Sequence, residues 1–258
     1  MTIPDGWLAD WASDLKTSIQ FFTRLPVSGG TPAGADLARA AWAFPLAGIV
    51  VGLIGAAVYA LAYKLGFAGW PAAALTVAAT LLVTGCLHED GLADTVDGFG
   101  GGDTQERKLE IMRDSKIGTY GVCALFMSLL LRSAALASIA EPALAAPVLV
   151  TAHMAGRAGI PLFMRLVPPA RDDGLSVGVG TPPRASAIAA VLIGMLALGV
   201  GLGPAAGVCA IALIAVAFGS LAWLSVRQIG GQTGDVLGAL EQIGEIIVLL
   251  VAAANIGG

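Results

Sequence analysis

Apolar residues fall in long unbroken runs along this chain, and the polar positions between them are few and clustered. Residues 40–63 and 65–87 carry no charge, and Lys64 with the stretch from Gly66 to Pro71 marks the division between them. Residues 119–140 hold only Arg132, and 142–164 hold only His153 and Arg157. Residues 185–226 are free of charge and too long for one crossing. Gly201-Leu202-Gly203-Pro204 divides them into 185–203 and 205–226. A last run, 236–256, carries Glu241 and Glu245 in its first turns. About 20 apolar residues at a rise of about 1.5 Å cross a hydrocarbon layer of about 30 Å, so the pattern predicts about seven transmembrane helices. The runs are continuous rather than alternating, which argues against a β-barrel.

Upstream of the first run the pattern changes. Trp7, Leu8, Trp11, Leu15, Ile19 and Phe22 recur at three- and four-residue spacing, with Asp10, Asp14 and Lys16 between them. This predicts an amphipathic helix within residues 1–30, on the membrane surface or packed on the bundle. No soluble domain and no internal repeat is visible. The expected architecture is one all-α membrane domain over residues 1–258, with polar site segments at 88–118 and 227–238.

Composition sharpens this reading. The chain is 57% hydrophobic and 12% charged, about half the charge of a soluble domain. Its 35 glycines suit closely packed membrane helices. Fourteen basic residues against 18 acidic ones give a net charge of −4 with no basic run, which excludes nucleic acid as a partner. Cys86, Cys123 and Cys209 are isolated in apolar surroundings, so they are expected as small buried residues, not as a disulfide or metal framework. The N-terminus lacks a basic segment followed by an apolar stretch, so no cleaved signal peptide is expected.

Seven crossings put Lys16, Arg24, Arg39, Arg107, Lys108, Arg113, Lys116, Arg165, Arg171, Arg184 and Arg227 on one side, and Lys64 alone on the other. The positive-inside rule makes the crowded side cytoplasmic. The N-terminus is then cytoplasmic and the C-terminus lies beyond the cytoplasmic membrane. The acidic segment 88–116, Asp172-Asp173 and the glycine-rich turn 230–235 all share the cytoplasmic face. Transporters more often set polar groups near the bilayer midplane. One-sided chemistry favours a membrane-embedded enzyme.

The densest chemistry is His88-Glu89-Asp90-Gly91-Leu92-Ala93-Asp94-Thr95-Val96-Asp97-Gly98. On a helix Asp90, Asp94 and Asp97 share one face, about 10 Å from first to last. Three carboxylates on one face repel one another, and oxygen ligands of this kind suit Mg²⁺ or Mn²⁺. The plain alternative is a solvated acidic loop. Arg107, Lys108, Arg113 and Lys116 follow closely. Carboxylate-bound metal beside Arg and Lys is suited to binding a diphosphate and stabilising charge in phosphoryl transfer. Arg113 and Lys116 are read in that role, and Lys108 as a topological charge. Gly118, Thr119, Tyr120 and Gly121 open the third span, where backbone N–H groups can face phosphate.

A second candidate is Gly230-Gly231-Gln232-Thr233-Gly234-Asp235. Its glycines permit close approach of backbone, and Asp235 can ligate metal or orient a hydroxyl. A tight turn with a helix cap is an equal reading. Arg132, His153 and Arg157 sit inside apolar spans, where charged groups are functional candidates. The alternatives there are a buried ion pair or a snorkelling arginine. Arg157 is nearer the cytoplasmic end, within reach of a phosphate.

Together with Phe22-Thr23-Arg24-Leu25-Pro26-Val27, Ile111-Met112-Arg113-Asp114-Ser115-Lys116-Ile117-Gly118-Thr119-Tyr120-Gly121 and Gly238, Ala239 and Glu245, these motifs span nearly the whole chain in order. In this combination the chain resembles the adenosylcobinamide-GDP ribazoletransferase (cobalamin synthase) family. Arg171 and Gly174 match that family's cytoplasmic loop, although Gly174-Leu175-Ser176 lacks a second glycine. The resemblance implies an integral membrane enzyme that joins adenosylcobinamide-GDP to α-ribazole, or to its 5′-phosphate, and releases GMP with Mg²⁺ as cofactor. It implies adenosylcobalamin or its 5′-phosphate as product, lipid as surroundings, and a complex with other cobalamin-assembly enzymes. In that frame Asp90, Asp94 and Asp97 hold Mg²⁺ against the diphosphate. Arg24, Arg113, Lys116, Arg157, Gly231 and Thr233 bind substrate, Asp235 or Asp114 positions the attacking oxygen, and His88 is a candidate base. Other Mg²⁺-dependent membrane enzymes of diphosphates fit less well. A CDP-alcohol phosphatidyltransferase has Arg after the Ala where Asp94 stands, and a prenyltransferase of the D-x3-D kind has a second Asp-rich motif. A carrier would not cluster its acids and bases on one side.

Overall fold

A computed structural model describes residues 7–27 and 34–256. The expectations for residues 1–6 and 28–30 of the N-terminal segment, and for the side chains of Trp7 and Leu8, lie outside the described residues. Among the described residues the regular structure is helical: α1 Trp7–Phe22, α2 Gly34–Ala40, α3 Phe44–Lys64, α4 Trp70–Thr84, α5 Leu87–Gly101, α6 Gln105–Ile111 and α7 Thr119–Ser138. These are followed by α8 Pro142–Ala158, α9 Ile160–Leu166, α10 Leu175–Val179, α11 Arg184–Leu202, α12 Pro204–Ile229 and α13 Gly234–Ile256.

Local sequence explains the breaks. Proline stands in the first turn of α3, α4, α8, α9 and α12, where its missing N–H costs nothing. Gly203 separates α11 from α12 at φ 80°, and Pro204 then starts α12. The division expected at 201–204 therefore occurs there.

Six stretches among the described residues are long and apolar enough to cross a membrane: Asp36–Lys64, Thr119–Ser138, Pro142–Leu166, Arg184–Leu202, Pro204–Ile229 and Gly234–Asn255. The run expected over 65–87 differs. It forms the 15-residue α4, then turns by 91° into α5. Gly85 and Cys86 make the turn, both with positive φ. Only the glycine adopts that conformation freely.

The helices cross closely. Gly52 on α3 faces Val150 of α8 so tightly that a Cβ would lie 2.5 Å from its Cα. One apolar cluster gathers Tyr59, Leu136, Leu149 and Val248. A second gathers Phe22, Phe44, Phe163, Ile229 and Leu240 at the other end of the bundle. On α13, Glu241 and Glu245 lie between the two.

The amphipathic α1 packs on the bundle, and the face it buries includes Asp14, Thr17 and Ser18. Asp14 accepts from Arg39 Nε and Trp42 Nε1, both at 2.9 Å. Trp11, on the apolar stripe, is exposed. One expectation is corrected: Cys123 and Cys209, on the long spans, and Cys86, at the α4–α5 bend, are exposed and not buried. In a membrane bundle apolar neighbours mark lipid-facing positions as readily as interior ones.

Candidate active site

The acidic helix α5 lies beyond the bend and outside the six long spans. It crosses α13 where both backbones lack side chains. A Cβ on Gly91 would lie 2.8 Å from Asp235 O and 3.2 Å from Gly238 Cα. This crossing brings Asp94 of α5 into the field of Asp235, the first acidic residue of α13. Asp94 is half-buried, and its carboxyl is pushed up to about 7. Burial is the main cause, reinforced by Asp90, Asp235 and Asp97; Arg171 opposes it.

A cleft of about 490 Å³ opens on this face of α5. Glu89, Asp90 and Asp94 line one wall, and Arg113, Asp114 and Ser115 line another. Leu125 and Leu129 of α7 add an apolar side. A second hollow of about 300 Å³ has Asp97, Arg107, Asp114, Lys116 and Tyr120 around it. Asp114 borders both, and its Oδ1 accepts from the Lys116 backbone N–H at 3.1 Å. Four of the residues singled out from sequence, Asp90, Asp94, Arg113 and Asp114, thus share one cleft.

Asp97 is employed differently from its neighbours. Its two oxygens accept from the backbone N–H groups of Gly118 (2.7 Å) and Gly121 (2.8 Å). The amides that the sequence offered to phosphate at the start of α7 are held by a side chain of α5. Asp90, Asp94 and Asp97 do not form a set of three oxygens all within 4.8 Å of one another. Glu89 Oε2 is buried without a partner, on a residue that lines the same cleft. Clustered carboxylates, with that of Asp94 raised by burial and by its acidic neighbours, are a donor set suited to a hard divalent cation.

The glycine-rich turn is a seam between loops. Gln232 N donates to Pro168 O at 2.8 Å, and Ala170 N donates to Gln232 O at 2.9 Å. A Cβ on Gly231 would strike Pro168 O, so only glycine fits beneath that loop. Thr233 Oγ1 donates to Asp235 Oδ2 at 3.0 Å and accepts from Val236 N at 3.4 Å, capping α13 while fixing the carboxylate. The loop held by this seam carries Arg171, which sequence reasoning placed in a loop but not in the site. Its Nη2 is 3.7 Å from Asp235 Oδ2 and its Nε is 3.5 Å from Asp173 Oδ1. Arg113 Nη2 meets that same Asp173 oxygen at 2.6 Å. The available signal was an arginine beside two aspartates and a glycine in a loop on the crowded side.

Arg24 lies across the α4–α5 bend. Its N–H donates to Val83 O at 2.7 Å, and its side chain covers Gly85, where no Cβ would fit. Lys108 Nζ donates to Phe99 O at 3.0 Å and so closes the end of α5.

His88 and Arg157 are not brought to the cleft. By helical rotation His88 stands on nearly the opposite face of α5 from Asp90 and Asp97. Its ring stacks on Phe22 at 5.6 Å, and its Nδ1 is 3.4 Å from Glu241 Oε2. Arg157 is fully enclosed, with Nη1 2.6 Å from Glu241 Oε1 and 2.8 Å from His153 O. Arg132 Nη1 reaches Glu89 Oε1 at 3.0 Å and Glu245 Oε1 at 3.3 Å. Gln242 Nε2 donates to Glu89 and Glu241, both at 3.1 Å, and Ser128 Oγ donates to Gln242 Oε1 at 2.8 Å. His153 Nδ1 is 3.2 Å from Glu245 Oε2. Of the alternatives weighed for Arg132, His153 and Arg157, the buried ionic network is the one observed. His153, Glu241 and Glu245 also meet the distance requirement for a metal, but the two glutamates are already paired with guanidinium groups.

The sequence profile described as cobalamin-5-phosphate synthase matches residues 14–253. A Bradyrhizobium diazoefficiens protein named adenosylcobinamide-GDP ribazoletransferase is 56% identical over 94% of this chain and 94% of its own length. Proteins of the same name from Mesorhizobium japonicum (50% identical, 93% of this chain and 92% of that protein) and Azorhizobium caulinodans (46%, 92% and 94%) are also similar. No solved structure matches the chain.

Proposed function

This chain belongs to the cobalamin-5-phosphate synthase family, and from that premise we propose that it transfers the cobinamide phosphate of adenosylcobinamide-GDP to α-ribazole or its 5′-phosphate. A ribose hydroxyl oxygen of the ribazole attacks the phosphorus attached to the cobinamide. The bond from that phosphorus to the bridging oxygen breaks, GMP leaves, and the hydroxyl proton passes to solvent. The products are adenosylcobalamin, or its 5′-phosphate, and GMP. The observation that carries this reading is the cleft in which Asp90 and Asp94 face Arg113, with Asp235 brought alongside by the Gly91–Gly238 crossing.

Asp90 and Asp94 would hold Mg²⁺, which would supply charge neutralisation for the diphosphate. Arg113 neutralises nonbridging oxygens at the rim, and Lys116 does the same from the adjoining hollow. Asp235, fixed by Thr233, accepts a hydrogen bond from the attacking hydroxyl and orients it. A loose phosphoryl-transfer transition state needs positioning and charge stabilisation more than a strong base, which suits a cleft from which His88 is turned away. Asp97 contributes by fixing α7 to α5. The crowding of Lys and Arg in the loops around the cleft supports its placement on the cytoplasmic face of the cytoplasmic membrane and, with α4 as a short seventh crossing, a C-terminus on the far side.

The test is GMP release by the purified chain from adenosylcobinamide-GDP and α-ribazole, with and without Mg²⁺, comparing wild type with Asp94→Ala. Coupled formation of GMP and cobalamin, dependent on both metal and Asp94, is the expected result. No turnover by folded protein would overturn the reaction, and full activity in Asp94→Ala would overturn the metal assignment.

A further inference from the structure

Two guanidinium groups from different loops converge on one carboxylate at the rim of the cleft. Arg113, between α6 and α7, and Arg171, between α9 and α10, both reach Asp173 Oδ1, at 2.6 and 3.5 Å. The Asp173 side chain is 69% exposed, whereas that of Arg171 is 15% exposed. Arg171 Nη1 is buried with no hydrogen-bond partner. Gly174, at φ 98°, lets the loop fold back over Arg171; a Cβ there would lie 3.1 Å from Nη2. The arginine is thus held by the fold, and the aspartate rests on it from solvent.

A carboxylate between two arginines offers them anionic oxygen acceptors of the kind a phosphate offers, with less charge. We infer that Arg113 and Arg171 form the diphosphate-binding pair of the cleft, and that Asp173 is an internal stand-in which the substrate's diphosphate displaces. This rests on the proposed reaction for the identity of the substrate, but the anion site itself does not. A diphosphate brings more negative charge than one carboxylate and offers acceptors for the unpartnered Nη1. Asp173 is a weak tenant, since an exposed ion pair contributes only a few-fold to an equilibrium. Arg171 Nη2 also lies 3.7 Å from Asp235 Oδ2, which sets the arginine beside the acidic wall of the site.

The probe is GDP with Mg²⁺, titrated into the full chain in lipid nanodiscs, with guanosine as the control lacking phosphate. Asp173→Asn is expected to bind GDP about two- to fivefold more tightly. Arg171→Ala is expected to bind it about tenfold or more weakly, with Arg171→Lys between that variant and wild type. Guanosine binding should be unmoved by all three. Unchanged or weaker GDP binding in Asp173→Asn, or wild-type binding in Arg171→Ala, would overturn the inference, as would the absence of GDP binding by wild type. If wild type binds GDP as described but releases no GMP from adenosylcobinamide-GDP, the proposed reaction fails and the diphosphate pair stands.

Discussion

Asp97 caps the helix that begins at Thr119: its Oδ1 accepts the Gly121 backbone N–H at 2.8 Å, while its other oxygen accepts that of Gly118 at 2.7 Å. Asp94, three residues away, has no such partner. Two aspartates of one motif therefore have separable duties. Loss of a capping carboxylate costs about 0.5–2 kcal/mol. Asp97→Ala should lower both the melting temperature and activity. Asp94→Ala should abolish turnover while leaving the melting temperature unchanged or raised, because it removes a carboxylate crowded by three others. Thermal denaturation of the two variants in one detergent checks this; equal destabilisation would refute the division.

The protonation of Asp94 gives a pH dependence with a definite sign. Its carboxyl is raised to about 7 in the folded chain, so below that pH a proton occupies the position where a cation would bind. Metal binding displaces the proton, and apparent Mg²⁺ affinity rises with pH. The Mg²⁺ concentration giving half-maximal rate should fall up to about tenfold per unit as pH rises toward 7, then level off above it. Folding linkage runs the other way: the raised value means ionisation of Asp94 progressively disfavours the metal-free fold between about pH 4 and 7. A half-saturating Mg²⁺ concentration flat from pH 6 to 8 would rule out Asp94 as a ligand.

The Gly91–Gly238 crossing leaves no room for a methyl group. Gly91→Ala should push α5 from α13 and separate Asp94 from Asp235. A misplacement of about 1 Å at a phosphoryl-transfer site costs on the order of 100-fold in rate. Steady-state kinetics should show a fall in kcat of at least tenfold in protein that still extracts and melts cooperatively. An unaltered kcat would mean the spacing is not used.

Inside the bundle, removing one member of a buried ion pair leaves the other charge uncompensated, at about 3–5 kcal/mol. Arg157→Met should therefore destabilise strongly. Arg157→Met combined with Glu241→Gln should recover much of the loss, since Arg157 Nη1 and Glu241 Oε1 are 2.6 Å apart and both residues are fully buried. Melting curves of the two variants test the pairing, and a double variant no better than the single one would count against it.

Much of this was legible in sequence, for a physical reason. Apolar runs of membrane length have almost no alternative to helix, because unpaired backbone is prohibitive in lipid. The break at Gly203 and the helical aspartate face followed from residue type alone. The bend at Gly85-Cys86 did not, since both residues are small and sit within an uninterrupted apolar run. Nor did the role of Asp97: helical periodicity gives the face of a side chain, not the partner that arrives from 21 residues downstream. Arg171 was obscured by the same rule that located it. Basic residues crowd cytoplasmic loops for topology alone, and only its contacts with Asp173 and Asp235 set it apart. His88 and Arg157 lay beside the right motifs but point into the ionic interior.

That interior has an evolutionary consequence. Glu89, Arg132, Arg157, Glu241 and Glu245 sit on α5, α7, α8 and α13, with both guanidinium groups held in contact with carboxylates. Loss of either arginine strands carboxylates that are almost wholly enclosed, so the arginines are the members least free to change alone. Lineages should keep Arg132 and Arg157, or exchange each only together with a carboxylate it meets, which makes the two arginines a durable mark of common descent.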